Sequence, residues 1–187
     1  MSLVELIARA DERGLAASGL ACLDRCVALL GGDDEMLRPL WASLADGGDA
    51  EEWATGLEQA RLKLATDGTA ETEGEAALLA RGMLAAAPDT RSEAEVREWA
   101  DACSLAALRI HRLLDAFPAG PSSIESNREG RTEGISPLVA AELRRQTKVL
   151  ELLAEHGSGG LRQALAVSTE GRRVLRAVVS RRARGRA

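Results

Sequence analysis

The chain has 187 residues and a formal net charge of −5, with 24 Lys and Arg against 29 Asp and Glu. That length suits a domain with a substantial buried core, and no window reaches the apolar length of a membrane span. Good helix formers (Ala, Leu, Glu and Arg) dominate, and no stretch alternates apolar with polar residues over strand length. We therefore predict an all-α fold without a sheet, either a multi-helix bundle or an irregular antiparallel helical repeat.

Apolar periodicity and helix-ending residues divide the chain into about eight or nine helices. They cover residues 2–13, 15–30, 33–46, 49–66, 72–87, 91–117, 137–156, 161–169 and 172–182. The second helix is apolar around most of its circumference, which predicts a central position in the bundle. In the third, Pro39 predicts that the helix either begins near Arg38 or kinks there.

The clearest periodicity lies in residues 91–117, RSEAEVREWADACSLAALRIHRLLDAF. Ser92 is the predicted N-cap of this helix, and Pro118 predicts its end. An apolar residue recurs at every seventh position, which places the set on one stripe of a long helix. The members of that stripe are Val96, Cys103, Ile110 and Phe117. The stripe could close inside one chain or across a dimer.

We predict an acidic helical bundle over residues 1–117, a flexible loop or linker over 118–136, and C-terminal helices with an Arg-rich tail over 137–187. The middle stretch, PAGPSSIESNREGRTEGIS, is rich in Pro, Gly, Ser and charges and is long for a loop inside a compact domain. It is either a linker or a functional lid. The C-terminal helices are expected to pack on the first part as one domain.

Four residues have the chemistry to bind a metal, and a set of three Cys and one His would suffice for structural zinc. They are Cys22, Cys26, Cys103 and His111. The cysteines lie on apolar stripes, where free cysteine behaves as a small buried hydrophobic residue, and tight Cys-x-x-Cys spacing is absent. We therefore predict no metal and no cofactor. The odd cysteine count and a start unlike a signal peptide predict a cytoplasmic protein with reduced thiols.

Charge is distributed unevenly along the chain. Residues 1–100 hold 9 Lys and Arg against 20 Asp and Glu, whereas residues 101–187 hold 15 against 9. Asp33, Asp34 and Glu35 place three carboxylates at the predicted start of the third helix, where the helix dipole favours negative charge. We predict that they belong to an acidic surface that meets a basic partner protein.

The C-terminal segment RRVLRAVVSRRARGRA is the most distinctive polar feature. Its arginines could contact the phosphates of a nucleic acid or dock on the acidic N-terminal body. With the interleaved valines, the segment is also a short basic amphipathic helix, which could lie on an anionic membrane. The arginines concerned are Arg172, Arg173, Arg176, Arg181, Arg182, Arg184 and Arg186.

The sequence favours a non-catalytic protein-interaction or regulatory module that binds another protein or itself. No nucleophile with a neighbouring base, Gly-rich phosphate loop or zinc-hydrolase motif occurs, so we assign no catalytic residue. One alternative is a nucleic-acid-associated protein that uses the C-terminal arginines. Another is an enzyme or ligand binder with a core site near His111 under the 118–136 loop, whose lid residues would be Glu125, Arg128 or Glu129.

Overall fold

The computed structural model describes residues 1–65, 74–117, 120 and 122–185. Within these ranges the chain contains nine α-helices, two short 3₁₀ turns and no strand, which confirms the predicted all-α class. The helices are α1 (Leu3–Arg9), α2 (Glu12–Cys26), α3 (Arg38–Ser43), α4 (Ala50–Leu64), α5 (Glu75–Ala85), α6 (Glu93–Leu114), α7 (Ile124–Arg128), α8 (Pro137–His156) and α9 (Leu161–Arg184). One 3₁₀ turn, Val27–Leu30, follows α2, and the other, Gly157–Gly160, joins α8 to α9.

Helix α2 lies at the centre of the bundle, as its apolar circumference predicts. Every residue from Gly14 to Cys26 is buried. The helix packs most extensively against α6 and also contacts α8 and α9. At Gly19 the two central helices approach so closely that a Cβ atom would come within 2.7 Å of the Trp99 ring. Small residues on α2 therefore allow α6 to pack directly against its backbone.

Two buried indoles link α4 and α5 to α6. The rings of Trp53 and Trp99 meet edge to face, with centroids 5.9 Å apart and planes at 76°. Each indole N–H donates to a backbone carbonyl, from Trp53 to Pro88 at 2.8 Å and from Trp99 to Met83 at 2.9 Å. A buried indole needs such a partner, because an unpaired N–H in the core is costly. The same apolar core extends from Leu3 in α1 to Leu175 in α9.

Side-chain caps define where several helices begin. The sequence predicts N-caps at Ser2, Asp49, Ser92 and Ser136; the first three are confirmed, whereas the Ser136 side chain makes no capping hydrogen bond at the start of α8. Ser2 accepts a hydrogen bond from the backbone N–H of Glu5 at 3.3 Å and forms a full capping box with it. Asp49 caps α4 by accepting from the N–H of Glu52 at 2.8 Å, and Ser92 caps α6 by accepting from the N–H of Glu95 at 3.4 Å. Each cap satisfies one of the N–H groups that the first turn of a helix leaves unpaired.

Helix α9 runs without a break through Gly171, so the prediction of two separate helices at this position is wrong. Glycine is unfavourable inside a helix by about 1 kcal/mol relative to alanine, which is why the sequence pattern suggests an end here. The structure gives the reason for glycine. A Cβ atom at Gly171 would collide with Cδ of Arg25 and lie 2.9 Å from Cδ of Arg145.

Two further boundaries differ from the sequence pattern. The acidic run 33–35 precedes α3, which begins at Arg38 with Pro39 in its first turn. The predicted start near Arg38 is therefore confirmed, and the alternative of a longer helix kinked at this position is wrong. Helix α6 ends at Leu114, because the next residue is already extended. Phe117 consequently lies beyond the apolar stripe, and 65% of its surface is exposed.

Part of the segment predicted as a loop or linker is helical and packed. Helix α7 buries Ile124, Asn127 and Arg128, and Ile124 packs with Leu108 of α6 in a small second core. The Arg128 guanidinium forms an ion pair with Asp101 of α6. This part of the segment therefore lies against the bundle rather than extending away from it.

Candidate functional site

A fully buried ion pair joins α2 to α8. The Arg25 guanidinium donates from Nε to Glu142 Oε2 at 2.8 Å and from Nη2 to Glu142 Oε1 at 2.6 Å. Both side chains are fully buried. Such a two-pronged arrangement is the strongest that an arginine and a carboxylate can form, and it fixes their relative orientation.

A hydrogen-bonded shell from α2, α6 and α8 surrounds this pair. Gln146 donates to Glu142 Oε1 at 2.9 Å and accepts from the Ser104 hydroxyl at 2.6 Å. His111 Nε2 lies 3.4 Å from Glu142 Oε2, and the Cys22 sulfur accepts from Arg25 Nη2 at 3.4 Å. The cluster therefore joins the three helices α2, α6 and α8 through one carboxylate.

The cluster holds its ionisable groups in defined protonation states. Burial alone would raise the pKa of Glu142, but its charged and hydrogen-bonding neighbours, with Arg25 the first of them, together outweigh burial and lower it. Burial lowers the pKa of His111, and the Glu142 carboxylate only partly opposes the shift. Burial raises the pKa of the Cys22 thiol to about 12. At neutral pH the cluster therefore contains a carboxylate, a guanidinium, a neutral imidazole and a neutral thiol.

The ionisable groups of this cluster have no contact with solvent. This matters for the alternative of an enzyme or ligand-binding site near His111 under the 118–136 segment. The His111 side chain has no exposed surface, and its Nδ1 lies 2.7 Å from the Ala107 carbonyl of its own helix. The lid candidates are also engaged: Glu125 pairs with Arg109 at 3.5 Å, and Glu129 pairs with Arg131 at 2.6 Å. The arrangement supports a structural role for the cluster, as a device that sets the register of α2, α6 and α8.

The metal candidates do not form a ligand set. Cys22, Cys26 and Cys103 are free, fully buried thiols in the apolar core. Burial raises the pKa of Cys26 and of Cys103 well above the ordinary thiol value, so thiolate ligands are disfavoured. Among the described residues, no group of three or more His, Cys, Asp and Glu side chains is placed to hold a metal ion.

His111 also makes stability depend on pH in a predictable direction. Its folded pKa lies below the ordinary value of 6.5, so the unfolded chain binds a proton that the folded chain does not as pH falls through 6.5. We expect the free energy of unfolding to fall with pH below 6.5, by at most about 1.4 kcal/mol per unit from this group. The lowered pKa of Glu142 likewise makes the free energy of unfolding fall as more acidic solution protonates it. The raised pKa of Asp24 has the opposite effect.

Histidine is the side chain whose ordinary pKa lies between roughly pH 5.5 and 7.5. Urea unfolding over this range therefore measures the contribution of His111 to the pH dependence of stability. His111→Gln is expected to have a shallower slope of stability against pH than the natural chain. His156→Gln is the matched control, because His156 is exposed at the end of α8, and it should keep the natural slope. An unchanged slope in His111→Gln would contradict the prediction.

A second buried ion cluster joins α9 to the N-terminal part of the chain, and it contains residues that the sequence assigned to external partners. Arg172 is 3% exposed and forms ion pairs with buried Asp24 and with Asp34, the latter at 2.9 Å. The Ser168 hydroxyl donates to Asp24 at 2.7 Å. Burial raises the pKa of Asp24, although Ser168 and Arg172 oppose the shift. Arg172, one of the arginines predicted to contact an anionic partner, is thus engaged with carboxylates of its own chain.

The predicted acidic surface is also partly engaged within the molecule. Asp34 accepts ion pairs from both Arg172 and Arg176, the latter at 3.2 Å. Glu35 pairs with Arg38 at 2.7 Å, and Asp33 accepts a hydrogen bond from the Glu35 backbone at 2.9 Å. Of the three sequence interpretations of the C-terminal arginines, docking on the acidic body describes the contacts of Arg172 and Arg176.

The remaining described arginines of the C-terminal segment 172–187 behave differently. Arg173, Arg181 and Arg184 are exposed, and Arg182 is half-buried. No carboxylate of a described residue forms an ion pair with any of the four. Arg182 instead donates to the Leu113 carbonyl at the end of α6, at 2.8 Å, while Arg181 donates to its own helix. Arg186 lies outside the described residues. The end of α9 is therefore a positively charged surface without internal counter-charges among the described residues.

Beside these arginines is a groove formed by the end of α6, the start of α8 and the last turns of α9. Its cavity volume is about 560 Å³, within the roughly 300–1,000 Å³ range of ligand pockets. The groove is lined by Leu114, Asp115, Ala116, Phe117, Pro137, Leu138, Ala141, Val178, Arg181 and Arg182. Its lining is mostly apolar, and the two arginines form one rim. We call it the α9 groove.

Among the described residues that line the α9 groove, the one carboxylate, that of Asp115, accepts hydrogen bonds from the backbone. Asp115 accepts from the N–H of Phe117 at 3.1 Å and from that of Leu138 at 2.9 Å. Burial opposes ionisation, but these hydrogen bonds outweigh it and lower the pKa of Asp115. Because Leu138 is in the first turn of α8, the carboxylate also lies at the positive end of that helix dipole. Asp115 is thus held and locally compensated.

Sequence reasoning missed the buried cluster and the groove for different reasons. Arg25 and Asp24 interrupt an otherwise apolar helix, and Glu142 and Gln146 share a face with Val139 and Leu153 of α8. Charged residues on the buried face of a helix were the available signal. The groove had no such signal, because it depends on where three helix ends meet.

Comparisons with protein-family models, with curated proteins and with solved structures found no match to this chain. Within the part of the chain that the structure describes, no helix has both the length and the apolar character needed to cross a bilayer. The inference of function therefore depends on the surface and interior of this molecule alone.

Proposed function

We propose that this chain is a non-catalytic protein-interaction module that presents the α9 groove to another protein. One contrast supports the proposal. The central ionisable groups Arg25, Glu142 and His111 are buried against one another, whereas the groove exposes apolar side chains beside arginines that have no carboxylate partner among the described residues. An exposed apolar patch with a polar rim is typical of a protein-interaction site.

The rigid helical body suits this role. Helix α9 is held at its middle by Arg172 and near its end by the Arg182 hydrogen bond to α6, so the groove is built before a partner arrives. A preformed surface binds at a lower entropic cost than one that must be ordered on binding. The module would act by holding a partner in a fixed position on the bundle.

The nucleic-acid alternative keeps Arg173, Arg181 and Arg184 as exposed phosphate contacts. It loses Arg172, which is buried, and it leaves the apolar part of the groove without a role, because phosphate contacts are polar and sequence-independent. The geometry therefore favours a protein partner.

Site-specific photocrosslinking in the native host tests the proposal. Phe117 is replaced by p-benzoylphenylalanine, a change that its exposed position should tolerate; the matched control carries the same group at Leu62, which is 71% exposed on α4. We expect a discrete, nuclease-resistant protein adduct from position 117 and none of that mass from position 62. Nucleic-acid adducts, identical products from both positions, or no adduct at 117 would each overturn the proposal.

A further inference from the structure

We infer that the partner segment of the α9 groove is an acidic amphipathic helix, whose apolar face enters the groove while its carboxylates pair with the arginine rim. This inference rests on the proposed function and names the chemistry of the partner. It follows from the combination of groove shape, apolar lining and uncompensated positive charge.

The shape of the groove selects an apolar side chain rather than a flat surface. Leu114, Phe117, Leu138 and Val178 line a concave space between three helix ends. Filling such a space removes apolar surface from water on both partners, at about 25 cal/mol for each Å². A helix presents apolar residues at i, i+3, i+4 and i+7 on one face, which is the usual way that a groove between helices is occupied. The backbone of a nucleic acid offers no comparable apolar group.

The rim selects negative charge. Arg181 has one N–H bonded to the Ala177 carbonyl at 3.3 Å, and Arg182 has one bonded to the Leu113 carbonyl at 2.8 Å. Each guanidinium has five N–H donors in a fixed fork that matches a carboxylate. Because Arg182 is held at the end of α6, its charge is positioned beside the apolar part of the groove.

Asp115, the acidic residue among the described residues that line the groove, does not remove the preference for a negatively charged partner. The Asp115 oxygens already accept from the Phe117 and Leu138 backbones, and the start of α8 offsets the charge. A carboxylate from a partner would therefore pair with Arg181 and Arg182, because the charge of Asp115 is already compensated within the molecule.

The size of the groove limits the expected binding affinity. A cavity of about 560 Å³ accommodates only a few large side chains. We therefore expect the contact to be smaller than a standard interface, which buries roughly 800 Å² per partner. We expect a single helical peptide to bind with a Kd of roughly 10–100 μM, in the weak and reversible range of small interfaces.

The test uses the full chain and a fluorescein-labelled 18-residue peptide with Leu at the i, i+3, i+4, i+7 spacing and Glu at most other positions. A scrambled peptide of the same composition keeps the charge and removes the apolar stripe. A third peptide replaces each Glu by Lys. Fluorescence anisotropy is expected to show binding of the first peptide, with at least tenfold weaker binding of the other two. Equal binding of the scrambled peptide would overturn the inference, because charge alone would then explain the interaction.

Variants of the chain locate the site. Val178→Glu and Arg181→Glu are each expected to weaken binding of the first peptide at least tenfold. Their matched controls, Leu62→Glu on α4 and Arg162→Glu on an exposed position of α9, should leave it within twofold. Circular dichroism confirms that each variant is folded, and Leu138→Ala replaces Val178→Glu if that variant unfolds. Binding that survives both groove substitutions would overturn the inference.

Two further outcomes separate this inference from the proposed function. If position 117 gives a protein adduct in the host but the acidic peptide does not bind, the partner chemistry is wrong and the interaction module stands. If a 20-base-pair DNA duplex binds more tightly than the peptide, and Arg181→Glu abolishes that binding while Val178→Glu does not, both proposals are overturned in favour of a nucleic-acid partner.

Discussion

Replacing Glu142 by Gln is expected to lower the free energy of unfolding by about 3–5 kcal/mol, because it leaves the buried Arg25 guanidinium without its counter-charge. The amide keeps the shape of the carboxylate and can still accept one hydrogen bond. It cannot compensate a full positive charge that has no contact with water. Urea unfolding at neutral pH, followed by far-ultraviolet circular dichroism, measures the change.

Glu129→Gln is the matched control for this substitution. Glu129 also pairs with an arginine, Arg131, but both side chains are more than half exposed, so the pair is screened by water. The control should change stability by no more than about 0.5 kcal/mol. Similar losses in Glu142→Gln and Glu129→Gln would contradict the buried ion pair as the organising contact of α2 and α8.

The double variant Arg25→Met with Glu142→Leu distinguishes a missing counter-charge from a general packing defect. Replacing a buried ion pair by apolar residues of similar volume is often neutral or stabilising. The double variant is therefore expected to recover most of the stability that Glu142→Gln loses. If it is no more stable than the single variant, the cost lies in the geometry of the surrounding shell.

Arg172→Met is expected to be the second most damaging substitution, with a loss of about 3 kcal/mol. The change removes the counter-charge of Asp24, which is almost fully buried, and releases one of the two partners of Asp34. Ser168 still donates to Asp24, and protonation of that carboxylate limits the damage. Thermal and urea unfolding of the full chain measure the loss.

Arg173→Met is a direct control, because Arg173 is the next residue of α9 and is exposed. It should change stability by less than about 0.5 kcal/mol, as is usual for surface positions. Arg173→Met should also leave the affinity for the acidic peptide unchanged, because Arg173 neither lines the α9 groove nor holds α9 in place. Equal losses of stability in the two variants would show that Arg172 is not the internal contact that its burial indicates.

Local signals in the sequence predicted the helical class, the central position of α2 and the N-caps at Ser2, Asp49 and Ser92. These features depend on residues within a few positions of one another, so periodicity and capping rules describe them. The continuity of α9 could not be predicted in this way. The sequence pattern at Gly171 predicts a helix end. The glycine is needed instead because the Arg25 side chain crosses α9 at this position, which only the structure shows.

The candidate site was harder to predict than the fold. Arg172 and Arg173 are adjacent and chemically identical, yet one is buried against Asp24 and the other is exposed. Only the rotation of α9 against α2 decides which arginine faces inward. The α9 groove likewise depends on the exact ends of three helices, and α6 stops three residues before the end that its apolar stripe predicted.

The pairing of α2 with the last two helices has a consequence for the order in which the chain can fold. Arg25 and Glu142 are separated by 117 positions, and Asp24 and Arg172 by 148. During synthesis, the central helix therefore carries two charges that cannot be buried until α8 and α9 have emerged. Contacts of such large sequence separation slow folding, and partial chains that lack these helices are expected to remain loosely packed. The bundle should thus acquire its core late, in a step that adds the C-terminal helices to α2.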